Sequence, residues 1–362
     1  MIKHKDHFHG SDLEKIEKIY GIKKEDIISF SANVNPLGIS PKLKEELKEH
    51  IDCITTYPDR DYIKLRECIA TYCNTETENI IVGNGSTELI SLFVQIRSPK
   101  KTLVLGPTYS EYEREISLAG GKTIYYPLRE ENDFVLDSSH FIGKLTEDID
   151  MLIICNPNNP TGTAINTHDM RRILDACKEC NIFVMVDETY VEFAQDINEI
   201  SSVGLTRTYD NIGILRGTSK FFAAPGLRLG YAICSNNDLV AEINKRKDPW
   251  TINSIAVVAG TLMFNDEQYI KETRNLISTE RDRLYKKFLE SPRFKPYIPQ
   301  GNFMLLKICE DGITSGQLFD KCIKKGLMIR DCSTFPYLGE NFIRICFMNP
   351  SDNDKLAETL LK

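Results

Sequence analysis

Apolar residues in the middle of the chain come in short unbroken runs, separated by longer stretches of mixed polarity. NIIV (Asn79–Val82), TLVL (Thr102–Leu105), MLIIC (Met151–Cys155), IFVMVD (Ile182–Asp187), IGILR (Ile212–Arg216) and LGYAI (Leu229–Ile233) are such runs. A strand covered on both faces is apolar at successive positions rather than at alternate ones. The runs therefore predict a mainly parallel sheet buried between helices. The segments between them read as helices. GNGSTELISLFVQI turns through glycine and opens one, and another begins near Tyr109. The pattern predicts an α/β class with a large unit over residues 41–248.

After Pro249 the pattern changes. A long charged helical stretch (about Asn265 to Leu289) leads to GNFMLLKI, a helix near Ser315–Lys325, LMIRDC and NFIRICF. This predicts a smaller α+β unit over residues 249–362, with residues 1–40 as an arm packed on it.

Composition narrows the field. A chain of 362 residues is too long for one small core, and 41% hydrophobic with 27% charged residues is ordinary for a soluble globular protein. The net charge of -7 argues against nucleic acid or an anionic membrane surface as the main partner. No stretch approaches the ~20 apolar residues of a membrane span. The N-terminus lacks an apolar core segment, so no secretory signal is expected. The eleven cysteines are odd in number and irregularly spaced, which predicts reduced thiols in a cytoplasmic protein. Cys177 and Cys180 form a single CxxC with no second ligand pair, and no metal role is expected of them.

Ligands of open α/β sheets bind beyond the C-terminal strand ends, and the polar oddities of this sequence cluster there. Gly83-Asn84-Gly85-Ser86-Thr87 follows NIIV and opens a helix, which makes either a phosphate site or an ordinary strand-turn-helix. It is not a dinucleotide fingerprint, because Glu88 stands at the third glycine position, and this disfavours a nicotinamide oxidoreductase. NPNNPTG (Asn156–Gly162) is a rigid turn that presents an amide side chain. Asp187, at the end of a buried strand, needs a cation or a donor; a pyridinium N–H and a helix-cap role both meet that need. Lys220, in TSKFFAAPGLRLGYAI, is costly to bury unless paired or covalently used; otherwise it is a loop lysine reaching solvent.

In their order and spacing, GNGSTELI, GPTYSEY, CNPNNPTG, VDETYVEF and TSKFFAAPGLRLGY resemble the fold-type-I pyridoxal-phosphate enzymes of the aspartate aminotransferase superfamily. The resemblance spans nearly the whole chain. It implies pyridoxal 5'-phosphate as cofactor, with Lys220 bonded to its aldehyde and Asp187 paired with its ring nitrogen. Asn159 and Tyr190 would bond its phenolate oxygen, and Tyr109 would stack on its ring. Gly85, Ser86, Thr87, Ser219 and Arg228 would hold its phosphate. Tyr57, in YPDRDY, matches a tyrosine that reaches the phosphate from a neighbouring subunit, which implies a homodimer. Gly217 departs from the pattern where Ser or Thr is usual, so Thr218 or Ser219 would take over that contact.

FHGS, FSANVNPLG (Phe30–Gly38), DPWTINSIA (Asp248–Ala256) and IRDCSTF (Ile329–Phe335) narrow the resemblance to the histidinol-phosphate aminotransferase branch. Within that branch the likeness is to the threonine-phosphate decarboxylases of cobalamin biosynthesis. The arm reads His9-Gly10-Ser11 where those enzymes more often carry His-Gly-Gly. The resemblance implies that Arg344 holds the substrate carboxylate, that Arg330 is a second anion site, and that His9 and Asn33 lie nearby. Two such arginines suit a small phosphorylated amino acid. Decarboxylation of L-threonine O-3-phosphate to aminopropanol phosphate is the expected reaction, with transamination of the histidinol-phosphate type as the alternative. A transcription regulator on this fold is disfavoured by the chain's acidity.

Overall fold

The computed structural model describes Gly10 and residues 12–362. Its strands are β1 (Ile28–Ser29), β2 (Ile80–Asn84), β3 (Lys101–Gly106), β4 (Lys122–Pro127), β5 (Met151–Cys155), β6 (Phe183–Asp187), β7 (Ile212–Gly217), β8 (Leu229–Ile233), β9 (Phe294–Pro296), β10 (Phe303–Ile308), β11 (Leu327–Met328), β12 (Arg330–Asp331) and β13 (Phe342–Cys346).

A seven-stranded sheet has the order β2-β8-β7-β6-β5-β3-β4. Pairing is parallel from β4 through β7, whereas β8 runs antiparallel to both of its neighbours. The α/β class and mixed sheet expected from the apolar runs are what is observed. The reason lies in how side chains alternate along each strand. In β5, Leu152 and Ile154 enter one core while Met151 and Ile153 enter another on the opposite face. Each face is covered, so no position tolerates a polar residue until the strand ends.

A four-stranded antiparallel sheet, β12-β13-β10-β9, is built from the C-terminal part of the chain. The run LMIRDC does not form one strand. β11 pairs in parallel with β1, while β12 pairs with β13 in the other sheet. The N-terminal segment is thereby tied to the C-terminal region. Phe30 N donates to Met328 O at 2.8 Å, and Cys346 N donates to Phe30 O at 2.9 Å. Residues 31–35 then cross to the large sheet, where Asn35 N donates to Lys220 O at 3.0 Å.

The helix Ser254–Met263 packs on the helices Pro41–Glu49 and Ile63–Cys73. This segment was expected to belong with the smaller unit, but it sits against the larger one. Gly260 permits the approach, since a Cβ there would lie 2.5 Å from Leu65 Cδ1. The long helix begins at Glu267, capped by the Asp266 side chain, which accepts from Tyr269 N. Among the described residues no helix is long and apolar enough to cross a membrane.

Candidate active site

The C-terminal ends of β2, β3, β5, β6 and β7 converge on a cavity of about 290 Å³. At one end the helix Gly85–Arg97 starts with no residue between it and β2. Its first turn offers unpaired N–H groups and the positive end of the helix dipole. Gly85 has φ +77, and a Cβ there would lie 2.4 Å from Arg228 Nη2. Only glycine leaves room for the guanidinium. Arg228 reaches this end because antiparallel β8 begins where its neighbours finish. Ser86, Thr87, Ser219 and Arg228 line the cavity together. Thr218 does not, because its hydroxyl donates to Leu229 O at 3.1 Å. Of the two hydroxyls considered in place of Gly217, Ser219 is the one at the cavity.

At the other end Asp187 is buried and its carboxylate is held on both oxygens. Tyr112 Oη donates to Oδ2 at 2.6 Å; Thr189 N and Oγ1 donate to Oδ1 at 2.9 and 2.5 Å. Burial and the Asp187 charge push the Tyr112 phenol well up, so it stays a donor. Tyr109 and Tyr112 meet edge to face at 5.6 Å, and burial pushes the Tyr109 phenol up to about 12. Of the asparagines in NPNNPTG, Asn156 is bonded to the backbone of Ile165 and Ile200, and Asn158 to Pro107 O and Thr161. Asn159 alone of the three faces the cavity, with Tyr190 beside it.

Lys220 stands where this cavity opens into a second, outer one of about 550 Å³. Its Nζ donates to Ala32 O at 2.6 Å. Burial, with a smaller contribution from the nearby Arg344 charge, lowers the amine from 10.5 to about 8. The outer cavity is lined by Tyr109, Asn159, Tyr190, Arg330 and Arg344 among others.

Arg330 and Arg344 sit directly opposite each other on β12 and β13. Like charges at such a position oppose strand pairing. Arg344 is buried, donates to Asn159 Oδ1 and, at 2.6 Å, to Ser31 O, and has an Nε with no hydrogen-bond partner among the described residues. Arg330 lies over the Phe335 ring at 5.2 Å, and burial followed by the Arg344 charge lowers its pKa. A buried Arg344 with an open N–H, facing the half-buried Arg330, suits an anion.

The expected site residues divide clearly. Gly85, Ser86, Thr87, Tyr109, Asn159, Asp187, Tyr190, Ser219, Lys220 and Arg228 line the inner cavity, while Arg330 and Arg344 line the outer one. Asn33 lines neither. Its amide donates to Tyr190 Oη at 3.3 Å, and its backbone O accepts from Asn302 Nδ2 at 2.9 Å. Asn33, expected near the substrate, thus meets the cavities through Tyr190, which lines both. Tyr57 is exposed, meets the Trp250 ring at a tilt with centroids 4.8 Å apart, and lines neither cavity. His9 lies outside the described residues, but Gly10 lines the outer cavity. Sequence reasoning passed over Tyr112 and Thr189, the partners of Asp187, and the carbonyls of Ser31 and Ala32. Tyr112 lies three residues after Tyr109 within GPTYSEY, a spacing that could have flagged it.

These groups fit pyridoxal 5'-phosphate. A helix N-terminus, hydroxyls and a guanidinium suit its phosphate; a fixed buried carboxylate suits its ring nitrogen; an amine of lowered pKa suits its aldehyde. Fold and site together define a pyridoxal-phosphate-dependent enzyme of fold type I. The chain belongs to the aminotransferase class I and II family, which it matches over residues 25–360. It is 37% identical, over 91% of its length and 88% of the relative's, to a protein of Caldanaerobacter subterraneus provisionally named a threonine-phosphate decarboxylase. It is 32% identical, over 99% of its length and 96% of the relative's, to a histidinol-phosphate aminotransferase of Methanosphaera stadtmanae. The crystal structure of the histidinol-phosphate aminotransferase from Clostridium acetobutylicum superposes with a TM-score of 0.85 at 32% identity, covering 91% of this chain and 97% of that one.

Proposed function

We propose that this protein decarboxylates L-threonine O-3-phosphate to aminopropanol phosphate, a reaction of cobalamin biosynthesis. The observation that carries the reading is the facing pair Arg330 and Arg344 at the outer cavity, a grip for a substrate with two anionic ends. Histidinol phosphate offers only one such end. The 37% identity to the relative named for this decarboxylation supports the same choice.

When bound, the cofactor supplies an electron sink for the electrons of a bond broken at the substrate's α-carbon. The chain's own residues decide which bond that is. Arg344 and Arg330 would hold the carboxylate and the phosphate, and so would select which α-carbon bond is broken. Asp187, held on both oxygens, would hold the ring nitrogen of the cofactor, and Asn159 and Tyr190 its phenolate oxygen. The Lys220 amine, lowered to about 8, exchanges a proton near neutral pH and delivers it to the α-carbon once CO2 has left. Tyr109 would cover the ring of the cofactor and exclude water there.

The working form proposed is a homodimer in which Tyr57 is contributed across the interface. Tyr57, Trp250, Ile51 and Ile54 are exposed in a single chain, and such apolar residues favour a contact with another copy. Transamination of the histidinol-phosphate type is the second reading, favoured by the near full-length match to the Methanosphaera stadtmanae relative.

Incubation with O-phosphothreonine and no keto acid tests the choice. CO2 release is expected. Its absence, together with turnover of histidinol phosphate and 2-oxoglutarate, would reverse the order of the two readings.

A further inference from the structure

Tyr112 has no role in the proposed reaction, yet it touches two walls of the inner cavity. Its side chain is fully enclosed, at 1% exposure. Its hydroxyl donates to Asp187 Oδ2 at 2.6 Å, while its ring edge meets Tyr109 at 5.6 Å. Thr189 engages only Oδ1 of the same carboxylate. A carboxylate held through one oxygen can still pivot about its Cβ–Cγ bond; held through both, it cannot. The Tyr112 bond is therefore what fixes the plane of the Asp187 carboxylate.

We infer that Tyr112 is a positioning residue for the cofactor. It sets the angle at which Asp187 meets the ring nitrogen and at the same time seats Tyr109 against the ring face. The inference rests on Asp187 being the group that meets that nitrogen. Tyr112 sits in the first turn of the helix Glu111–Leu118, and both contacts use one rigid side chain. The ring nitrogen and the stacking tyrosine are thus held in register by a residue that itself contacts neither the substrate nor the reacting bond. Groups that orient a ligand's direct partners affect its affinity nearly as strongly as the partners do.

Tyr112→Phe isolates the hydroxyl, because the ring and its contact with Tyr109 are kept. Apoprotein is titrated with pyridoxal 5'-phosphate by quenching of protein fluorescence. The circular dichroism of the bound cofactor band is recorded at saturation, and Tm is measured in parallel. Y112F is expected to bind the cofactor about ten-fold more weakly, the loss of one hydrogen bond to a charged group. Its visible dichroism should be reduced at full occupancy, because the ring is less fixed. A role in packing alone would lower Tm and leave the dichroism at saturation unchanged, and that result would overturn the inference. Asp187→Asn serves as the second arm. If D187N weakens binding and Y112F does not, the Tyr112 inference fails while the reading of Asp187 stands. If neither variant changes affinity or dichroism, both fail. No substrate enters these measurements, so their outcome is independent of whether the enzyme decarboxylates or transaminates.

Discussion

The inner and outer cavities meet at Lys220 but are built in different ways. The inner one is made mostly at strand ends of one sheet, each contributing residues of one short motif, with Ala32 and Val34 of the crossing segment beside them. The outer one shares Tyr109, Asn159, Tyr190 and Lys220 with it and adds distant parts of the chain: Gly10 and Ser31, the stretch from Ser110 to Arg114 with Tyr125, and the β12–β13 pair with Thr334 to Pro336. The inner cavity is fixed by a buried sheet, whereas the outer one depends on how segments far apart in the chain are brought together. Cofactor identity is accordingly legible in local motifs, whereas reaction choice depends on how separate segments are brought together.

Variants can break this contrast or sharpen it. The largest effect belongs to the junction. Lys220→Ala is expected to abolish turnover and to leave no cofactor fixed to the protein by borohydride, checked by absorbance and by mass of the reduced protein. Full activity in that variant would remove the basis for the site as described. Arg344→Lys keeps the charge but loses the planar fork. It is expected to lower kcat/KM about 100-fold while leaving cofactor affinity unchanged. Arg330→Gln should raise KM about ten-fold for a phosphorylated substrate and much less for its unphosphorylated form. If either arginine variant lost cofactor instead, the two cavities would not be separable units.

A smaller effect is read from pH. The amine is the form that captures an aldehyde, and Lys220 is lowered to about 8 in the cofactor-free protein. The rate of cofactor capture should rise with pH and level off near 8, whereas an unperturbed lysine would keep gaining toward 10.5. The smallest contrast is between two adjacent hydroxyls. Ser219→Ala should weaken cofactor binding several-fold. Thr218→Val should cost about 1 kcal/mol of stability with cofactor affinity unchanged, since its bond goes to Leu229 O. Fluorescence titration and urea unfolding separate the two.

The sheet was legible in the sequence because strands buried on both faces admit only apolar residues, as the alternation of Leu152 and Ile154 against Met151 and Ile153 illustrates. How LMIRDC pairs was not legible. An apolar run carries no mark of the point where pairing passes from β1 to β13. Arg330 and Arg344 could be named as anion-binding, but their face-to-face register could not be read, because register is set by the turn around residues 332–341 and not by the strands themselves. The bond from Asn33 to Tyr190 could not be read either, because a side chain at φ 55 in a crossing segment has its direction set by backbone conformation that composition does not reveal. Tyr112 was missed because its function depends on an oxygen of Asp187, 75 residues away along the chain.

The facing guanidiniums of Arg330 and Arg344 also bear on how the protein responds to occupancy. Facing each other across β12 and β13, they oppose the pairing of the strands that carry them, and an anion bound between them would offset that repulsion. A doubly charged ligand should therefore raise the melting temperature more than a singly charged one of the same size. The sheet edge that carries β12 should then be the region whose amide exchange slows most, because the bound anion ties that edge strand to its neighbour.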